Sequence, residues 1–243
     1  MIEIVNLHKA FGNGRVLNGI NLRIEEGETS VIIGKSGSGK SVLLKHIVGL
    51  LFPDDGFVRV GGDIIDQKNQ NKLYRIRREF GFLFQGAALF DSMTVAENIA
   101  LPIIENDYNF TEIELSKKIS EMLELVNMVG TEKLKPSELS GGMKKRVGLA
   151  RALITKPEYI LYDEPTTGLD PIMSDSIDEL IKQLANQLNV TSIVVTHDMF
   201  SVKNVADKVA MVHEGKIYFE GTPDQLINSN DKIIMDFINR TGF

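Results

Sequence analysis

The segment Gly34-Lys35-Ser36-Gly37-Ser38-Gly39-Lys40-Ser41 constrains the fold more than any other stretch of the chain. It fits the pattern G-x-x-x-x-G-K-[ST], follows the apolar run Ser30 to Ile33, and opens a helical run from Lys40 to Gly49. Strand, glycine-rich loop and helix in that order aim backbone N–H groups at a positive helix end, and glycine leaves room for a phosphate to approach. In that setting the Lys40 ammonium bridges the β- and γ-phosphates of a nucleoside triphosphate, and the Ser41 hydroxyl ligates Mg²⁺.

Around this loop strands alternate with helices, which predicts an α/β protein with a mostly parallel sheet. From Met1 to about Ile33, short alternating apolar segments are broken at Asn13-Gly14 and Glu26-Gly27, a pattern of antiparallel strands with a hairpin turn. Further strands are expected at Gly56 to Val60, Glu79 to Phe84, Tyr159 to Tyr162, Val190 to Thr196, Lys208 to His213 and Lys216 to Glu220. Between about Gly86 and Ser137 the character is helical, with Ser/Thr-x-x-Glu capping boxes at Thr94 to Glu97 and Thr111 to Glu114. Asp170-Pro171 supplies an N-cap and first-turn proline for a long helix whose apolar face is Ile177, Leu180, Ile181, Leu184 and Leu188. With no repeat and no Gly/Ser linker, residues 1–243 read as a single domain. Its expected parts are a core over 1–85 and 155–221 with an antiparallel β subdomain at its N-terminal end, an inserted helical subdomain over 86–154, and a tail over 222–243.

Several residues carry chemistry. Asp163 and Glu164 close an apolar strand, where ligands of open α/β sheets sit; Asp163 suits an outer Mg²⁺ contact and Glu164 a general base acting on the attacking water. His197 ends another apolar strand, placing an imidazole within reach of the γ-phosphate region. Gln85 ends a third, and its amide can both donate to and accept from a metal-bound water. In Leu139-Ser140-Gly141-Gly142-Met143, Ser140 caps a helix whose first residues are two glycines, a second phosphate-binding surface. Two such surfaces, distant in one chain, suggest that each completes the site of a partner copy, as a two-fold dimer allows.

Composition narrows the setting. At 243 residues and 43% hydrophobic, the chain can bury one sizeable core. It has no cysteine, which excludes disulfides, thiolate metal sites and thiol nucleophiles. The longest apolar stretches, such as Leu43 to Phe52 with its Lys45 and His46, fall short of the roughly 20 residues a bilayer span needs. Met1 to Leu7 reads as a strand, not a signal peptide. A net charge of −6 argues against a nucleic-acid surface, and the basic clusters Arg75 to Arg78 and Lys144 to Arg146 read as solvated helix faces.

Taken together, Gly34 to Ser41, Gln85, Leu139 to Gly142, Leu161 to Glu164, Gly168-Leu169-Asp170 and His197 closely resemble the nucleotide-binding subunits of ABC transporters, from the first strand to about Gly221. The resemblance implies a P-loop NTPase fold of the ABC ATPase type, with ATP and Mg²⁺ as cofactors. It gives Lys40, Ser41, Gln85 and Asp163 to phosphate and metal, Glu164 the role of catalytic base, and His197 that of a switch histidine. It assigns Ser140, Gly141 and Gly142, the family's signature, to the γ-phosphate held by the opposite subunit. It also implies that adenine stacks on Phe11 with Val16 beneath it. Two positions depart from the family pattern: Phe11 stands where Tyr is frequent, and Met143, which cannot donate a side-chain hydrogen bond, stands where Gln is frequent.

Within the family, Gln85 to Val95 and Gly141 to Val147 resemble the ATPase subunit of bacterial Mla/Mce-type phospholipid transporters, and Met143 fits that branch. This likeness implies a homodimer beneath two copies of a multi-helix permease, at the cytoplasmic face of a bacterial inner membrane, with a lipid-binding Mce-type partner in the periplasm. The apolar Ile233, Ile234, Phe237 and Ile238 read either as an arm crossing to the second copy or as an amphipathic surface helix. Alternatives are an ABC ATPase serving another cargo such as an amino acid or a drug, a soluble family member acting on DNA or ribosomes, and a nucleotide-gated binding module without turnover.

Overall fold

The computed structural model describes residues 1–106 and 108–241. β1 (Ile2–Phe11) and β2 (Gly14–Ile24) form the expected hairpin, paired from Ile2↔Ile24 to Phe11↔Gly14. After β3 (Thr29–Ile33) and α1 (Lys40–Ile47), β4 (Asp55–Val60) and β5 (Asp63–Ile64) return to that hairpin. The result is an antiparallel sheet of order β2-β1-β4-β5. Next come α2 (Gln70–Arg78), β6 (Phe80–Leu83), α3 (Val95–Glu105), α4 (Glu112–Leu125) and α5 (Gly141–Leu153). The chain ends in β7 (Tyr159–Asp163), α6 (Pro171–Leu188), β8 (Thr191–Val195), α7 (Met199–Val205), β9 (Lys208–His213), β10 (Lys216–Gly221), α8 (Pro223–Ile227) and α9 (Lys232–Arg240).

A second sheet of order β10-β9-β3-β8-β7-β6 is parallel except at its β9–β10 edge. Its central strands are apolar on both faces because both are covered, and the period-2 alternation of side chains sorts them into two cores. Val31, Ile33, Ile160, Tyr162 and Val194 join the cluster built with α3 to α7, whereas Ile32, Leu161, Ile193 and Val195 join the one built with α1 and the antiparallel sheet. Both predicted capping boxes are made: Thr94 with Glu97 starts α3, and Thr111 with Glu114 starts α4. Each contributes roughly 1 kcal/mol to its helix.

One sequence reading is overturned. The cluster Lys144 to Arg146 is not a solvated face: Lys145 is 4% exposed, and Arg146 donates to the Val126 carbonyl and the Ser176 hydroxyl, both at 2.7 Å. In the other cluster, Arg75 is paired with Asp63 and Arg77 donates to the Gly49 carbonyl at 2.6 Å. The tail packs on its own chain, burying Ile234, Phe237 and Ile238 in the same core as α7 and α8. Among the described residues no helix is long and apolar enough to cross a membrane.

Candidate nucleotide site

Parallel pairing gathers the site. β3 pairs with β8 up to Ile32↔Val195, β7 with β8 up to Asp163↔Val195, and β6 with β7 up to Leu83↔Tyr162, so the four strands end at one edge. The residues that follow them, Gly34, Gln85, Glu164 and His197, therefore converge where open α/β sheets hold ligands. All four line one cleft of about 740 Å³, together with Lys40, Ser41 and Asp163. This volume is within the range of small-molecule and cofactor sites.

The glycine-rich loop is held in a shape that side chains would obstruct. Gly34 has φ +150°, and a Cβ there would lie 2.4 Å from the Val212 carbonyl oxygen. Lys35, Ser36, Gly37 and Ser41 are exposed along the loop, while Gly39 forms the left-handed start of α1. The Ser38 hydroxyl is buried without a hydrogen-bond partner among the described residues. Lys40 donates to the carbonyls of Gly34 at 2.7 Å and Lys35 at 3.2 Å, which folds its ammonium back over the loop. Burial holds its pKa below the ordinary lysine value, with Glu164 and Asp163 acting in the opposite sense.

Opposite the loop are the two carboxylates. Burial, reinforced by the neighbouring Glu164, pushes the Asp163 carboxyl above the usual range, against the pull of Lys40 and Lys145. Glu164 lies at φ +50°, a left-handed conformation costing about 1–2 kcal/mol for a residue with a Cβ. Its surroundings fix it there: its N–H donates to the Val195 carbonyl at 2.8 Å, and its carbonyl accepts from Lys145 at 3.2 Å. Its carboxylate meets His197 Nδ1 at 2.9 Å and the Thr167 hydroxyl at 3.2 Å. His197 remains 60% exposed, so one ring nitrogen orients Glu164 while the rest of the ring faces the cleft.

Not every predicted residue is here. Val16 lines the cleft, but Phe11, at the end of β1 and 49% exposed, does not. Nor do Ser140, Gly141 and Gly142. Ser140 caps α5 by accepting from Met143 N–H at 3.3 Å, and Ser140 and Gly141 are exposed. Gly142 is buried instead of open; a Cβ there would fall 2.2 Å from the Met173 terminal methyl, so this glycine serves close packing with α6. Sequence reasoning missed two contributors. Phe237, Arg240 and Thr241 at the end of α9 form a wall of the cleft, and Lys145 reaches the Gln85 and Glu164 carbonyls from α5. The apolar spacing of the tail signalled a packed helix but not its address, and Lys145 gave no signal inside a basic run.

The donor set fits Mg²⁺. Among the described residues no cluster of three or more His, Cys, Asp or Glu could hold a metal alone, whereas the cleft offers a hydroxyl, an amide and a carboxylate in Ser41, Gln85 and Asp163. Mg²⁺ prefers hard oxygen ligands and is commonly held by one or two carboxylates plus substrate phosphates.

Comparison with known proteins agrees with this geometry. Residues 17–167 match the family model described as ABC transporter. The chain is 40% identical over 238 residues to a probable ribonucleotide transport ATP-binding protein, mkl, of Mycobacterium leprae, covering 98% of this chain and 68% of the relative. It is also 40% identical over 238 residues to the intermembrane phospholipid transport system ATP-binding protein MlaF of Haemophilus influenzae, covering 98% of this chain and 90% of that one. The fold is similar to the dimeric post-hydrolysis structure of the ATP-binding cassette MJ0796 bound to ADP and Pi, with TM-score 0.83, 33% identity, and 92% and 99% of the two chains covered. A phosphate loop, two acids and a histidine gathered at one sheet edge, in a chain with these relatives, place it in the ABC transporter family as a cassette that binds and hydrolyses ATP.

Proposed function

We propose that the chain powers phospholipid transport between bacterial membranes, as a homodimer beneath a separate multi-helix permease. The observation that carries the motor reading is the single cleft joining Lys40, Gln85, Asp163, Glu164 and His197, while Ser140 to Gly142 lie outside it. A γ-phosphate seated at Lys40 is then reached by Ser140 and Gly141 only from a second copy, which makes ATP the bond between protomers. The dimeric assembly of the MJ0796 cassette supports this arrangement.

In each site Lys40 and the loop N–H groups bind and neutralise the phosphates, and the helix dipole of α1 adds to them. Phe11, with Val16 beneath, packs on the adenine when the nucleotide is bound. Glu164, oriented by His197 and Thr167, aligns the attacking water and takes its proton. Ser41, Gln85 and Asp163 would hold Mg²⁺, which would supply charge neutralisation at the phosphates.

The permease surface is an apolar groove of about 380 Å³ beside the Gln85 segment, lined by Phe80, Phe82, Phe84, Phe90, Leu101 and Pro102. Phe84 is 43% and Phe90 51% exposed, unusual for aromatic rings unless something covers them. An amphipathic permease helix fits such a groove, and its contact with the Gln85 segment couples closure to transport. The phospholipid cargo is supported by the likeness to MlaF, which this chain matches over nearly its whole length; a lipid-binding Mce-type partner is part of the same proposal. The test is to purify the chain with its co-purifying membrane protein, assay turnover, and identify bound lipid by mass spectrometry. A permease carrying phospholipid, with Glu164-dependent turnover, supports the proposal. A permease carrying another cargo retains the motor and removes the phospholipid reading.

A further inference from the structure

We propose that Lys145, assisted by Arg151, is a positioning residue through which helix α5 holds both reactive loops of its own chain, linking the two ATP sites of the dimer. The inference rests on the composite-dimer reading above and adds a specific carrier of the coupling.

The ammonium of Lys145 donates to the main-chain carbonyls of Gln85 and Glu164, the residues expected to contact the metal and to act as catalytic base. Six residues further along α5, Arg151 donates to the carbonyls of Ala87 at 2.6 Å and Ala88 at 2.8 Å, in the turn just after Gln85. Between them, Gly148 lets the helix approach that turn: a Cβ there would lie 2.9 Å from Leu83 Cδ1 and 3.2 Å from the Ala87 Cβ. Residues three apart share a helix face, so Lys145, Gly148 and Arg151 form one stripe directed at these loops.

The loops they hold are strained. Ala87, Ala88 and Glu164 have φ of 58°, 47° and 50°, a conformation that non-glycine residues keep only when their surroundings over-determine it. Backbone carbonyls fixed by buried cations supply that constraint. It is a costly device: Lys145 is 4% and Arg151 8% exposed, and among the described residues neither makes an ion pair. Burial lowers the pKa of both, and a helix packed for stability alone would carry apolar groups at these positions. Neither residue lines the nucleotide cleft, so neither serves by touching substrate.

The consequence follows from where α5 begins. Its first residues, Ser140 and Gly141, belong to the partner's nucleotide in the dimer, while Lys145 lies about 7.5 Å along the same rigid helix. A shift of α5 on engaging the partner's phosphate therefore moves the Gln85 and Glu164 carbonyls of its own site. Occupancy of one site then sets catalytic geometry in the other.

The test uses the full-length chain and the variants Lys145→Met, which keeps the side-chain volume, and Lys145→Gln, which keeps one donor. Three quantities are measured: affinity for a fluorescent ATP analogue, turnover against ATP concentration, and ATP-driven dimerisation in a Glu164→Gln background. The expected result for Lys145→Met is affinity within about 2-fold of the parent and turnover down by at least about 10-fold, because small displacements of catalytic groups are expensive. Its Hill coefficient falls to about 1 because the sites no longer communicate. Lys145→Gln recovers part of both. Parental turnover and Hill coefficient in Lys145→Met overturn the proposal, as does affinity falling in parallel with turnover, which marks general structural support. A parental Glu164→Gln chain that stays monomeric with ATP bound overturns the dimer reading and the coupling with it. Dimerisation with unchanged Lys145→Met kinetics overturns the coupling alone.

Discussion

The helices α1 and α5 each have glycine at the start, Gly39 as the N-cap of α1 and Gly141 as the first residue of α5, and both present N–H groups at a positive helix end, yet their surroundings differ. The start of α1 opens into a cleft with two carboxylates, a histidine and its own lysine. The start of α5 is capped by Ser140 and exposed at Ser140 and Gly141, and none of its first residues reaches that cleft. The first end has the groups for chemistry around it; the second has only donors to offer. On the proposed composite-site reading, this second helix end is half of a site whose complementary half is the cleft of another copy.

This contrast gives predictions of graded size. Lys40→Ala removes the ammonium that folds back over the phosphate loop and should lower turnover by about 10²–10³-fold with loss of nucleotide affinity, measured by fluorescent-nucleotide titration. Glu164→Gln should lower turnover by about 10²-fold or more while affinity is retained, since only proton acceptance is lost. Ser140→Arg crowds the α5 end and should lower turnover by about 10-fold or more while the affinity of the single chain stays within about 2-fold, although Ser140 lies outside the cleft. If affinity falls as well, the two helix ends are not separate half-sites. Phe11→Ala should raise KM about 5–10-fold with kcat preserved, the loss of one base-stacking contact. Arg240→Ala, at the wall contributed by α9, should raise KM only about 2–3-fold, because this side chain is 70% exposed and its ion pair with Asp236 is screened.

What could be read in advance was what depends on neighbours in sequence. The capping boxes at Thr94 and Thr111 are i to i+3 contacts, and the phosphate loop is a continuous strand, turn and helix. The residues after β6, β7 and β8 were identifiable because each follows an apolar strand, and parallel pairing brings such ends together. α2 was not delineated because only Leu73 and Ile76 anchor it within a basic stretch, and α7 because its seven residues start directly behind His197 and Asp198. The role of Gly142 depends on Met173, 31 residues later, and that of Lys145 on two loops 60 and 19 residues away. The landing of α9 beside the cleft is tertiary in the same way. Local chemistry was legible; the packing that holds it in place was not.

The most direct measurement is the molar mass of Glu164→Gln in solution, by light scattering with and without MgATP, beside the double variant Glu164→Gln, Ser140→Arg. The composite-site account predicts that ATP doubles the mass of the first and leaves the second monomeric although it binds nucleotide. A Glu164→Gln chain that stays monomeric when saturated with ATP, or a double variant that dimerises equally well, contradicts it.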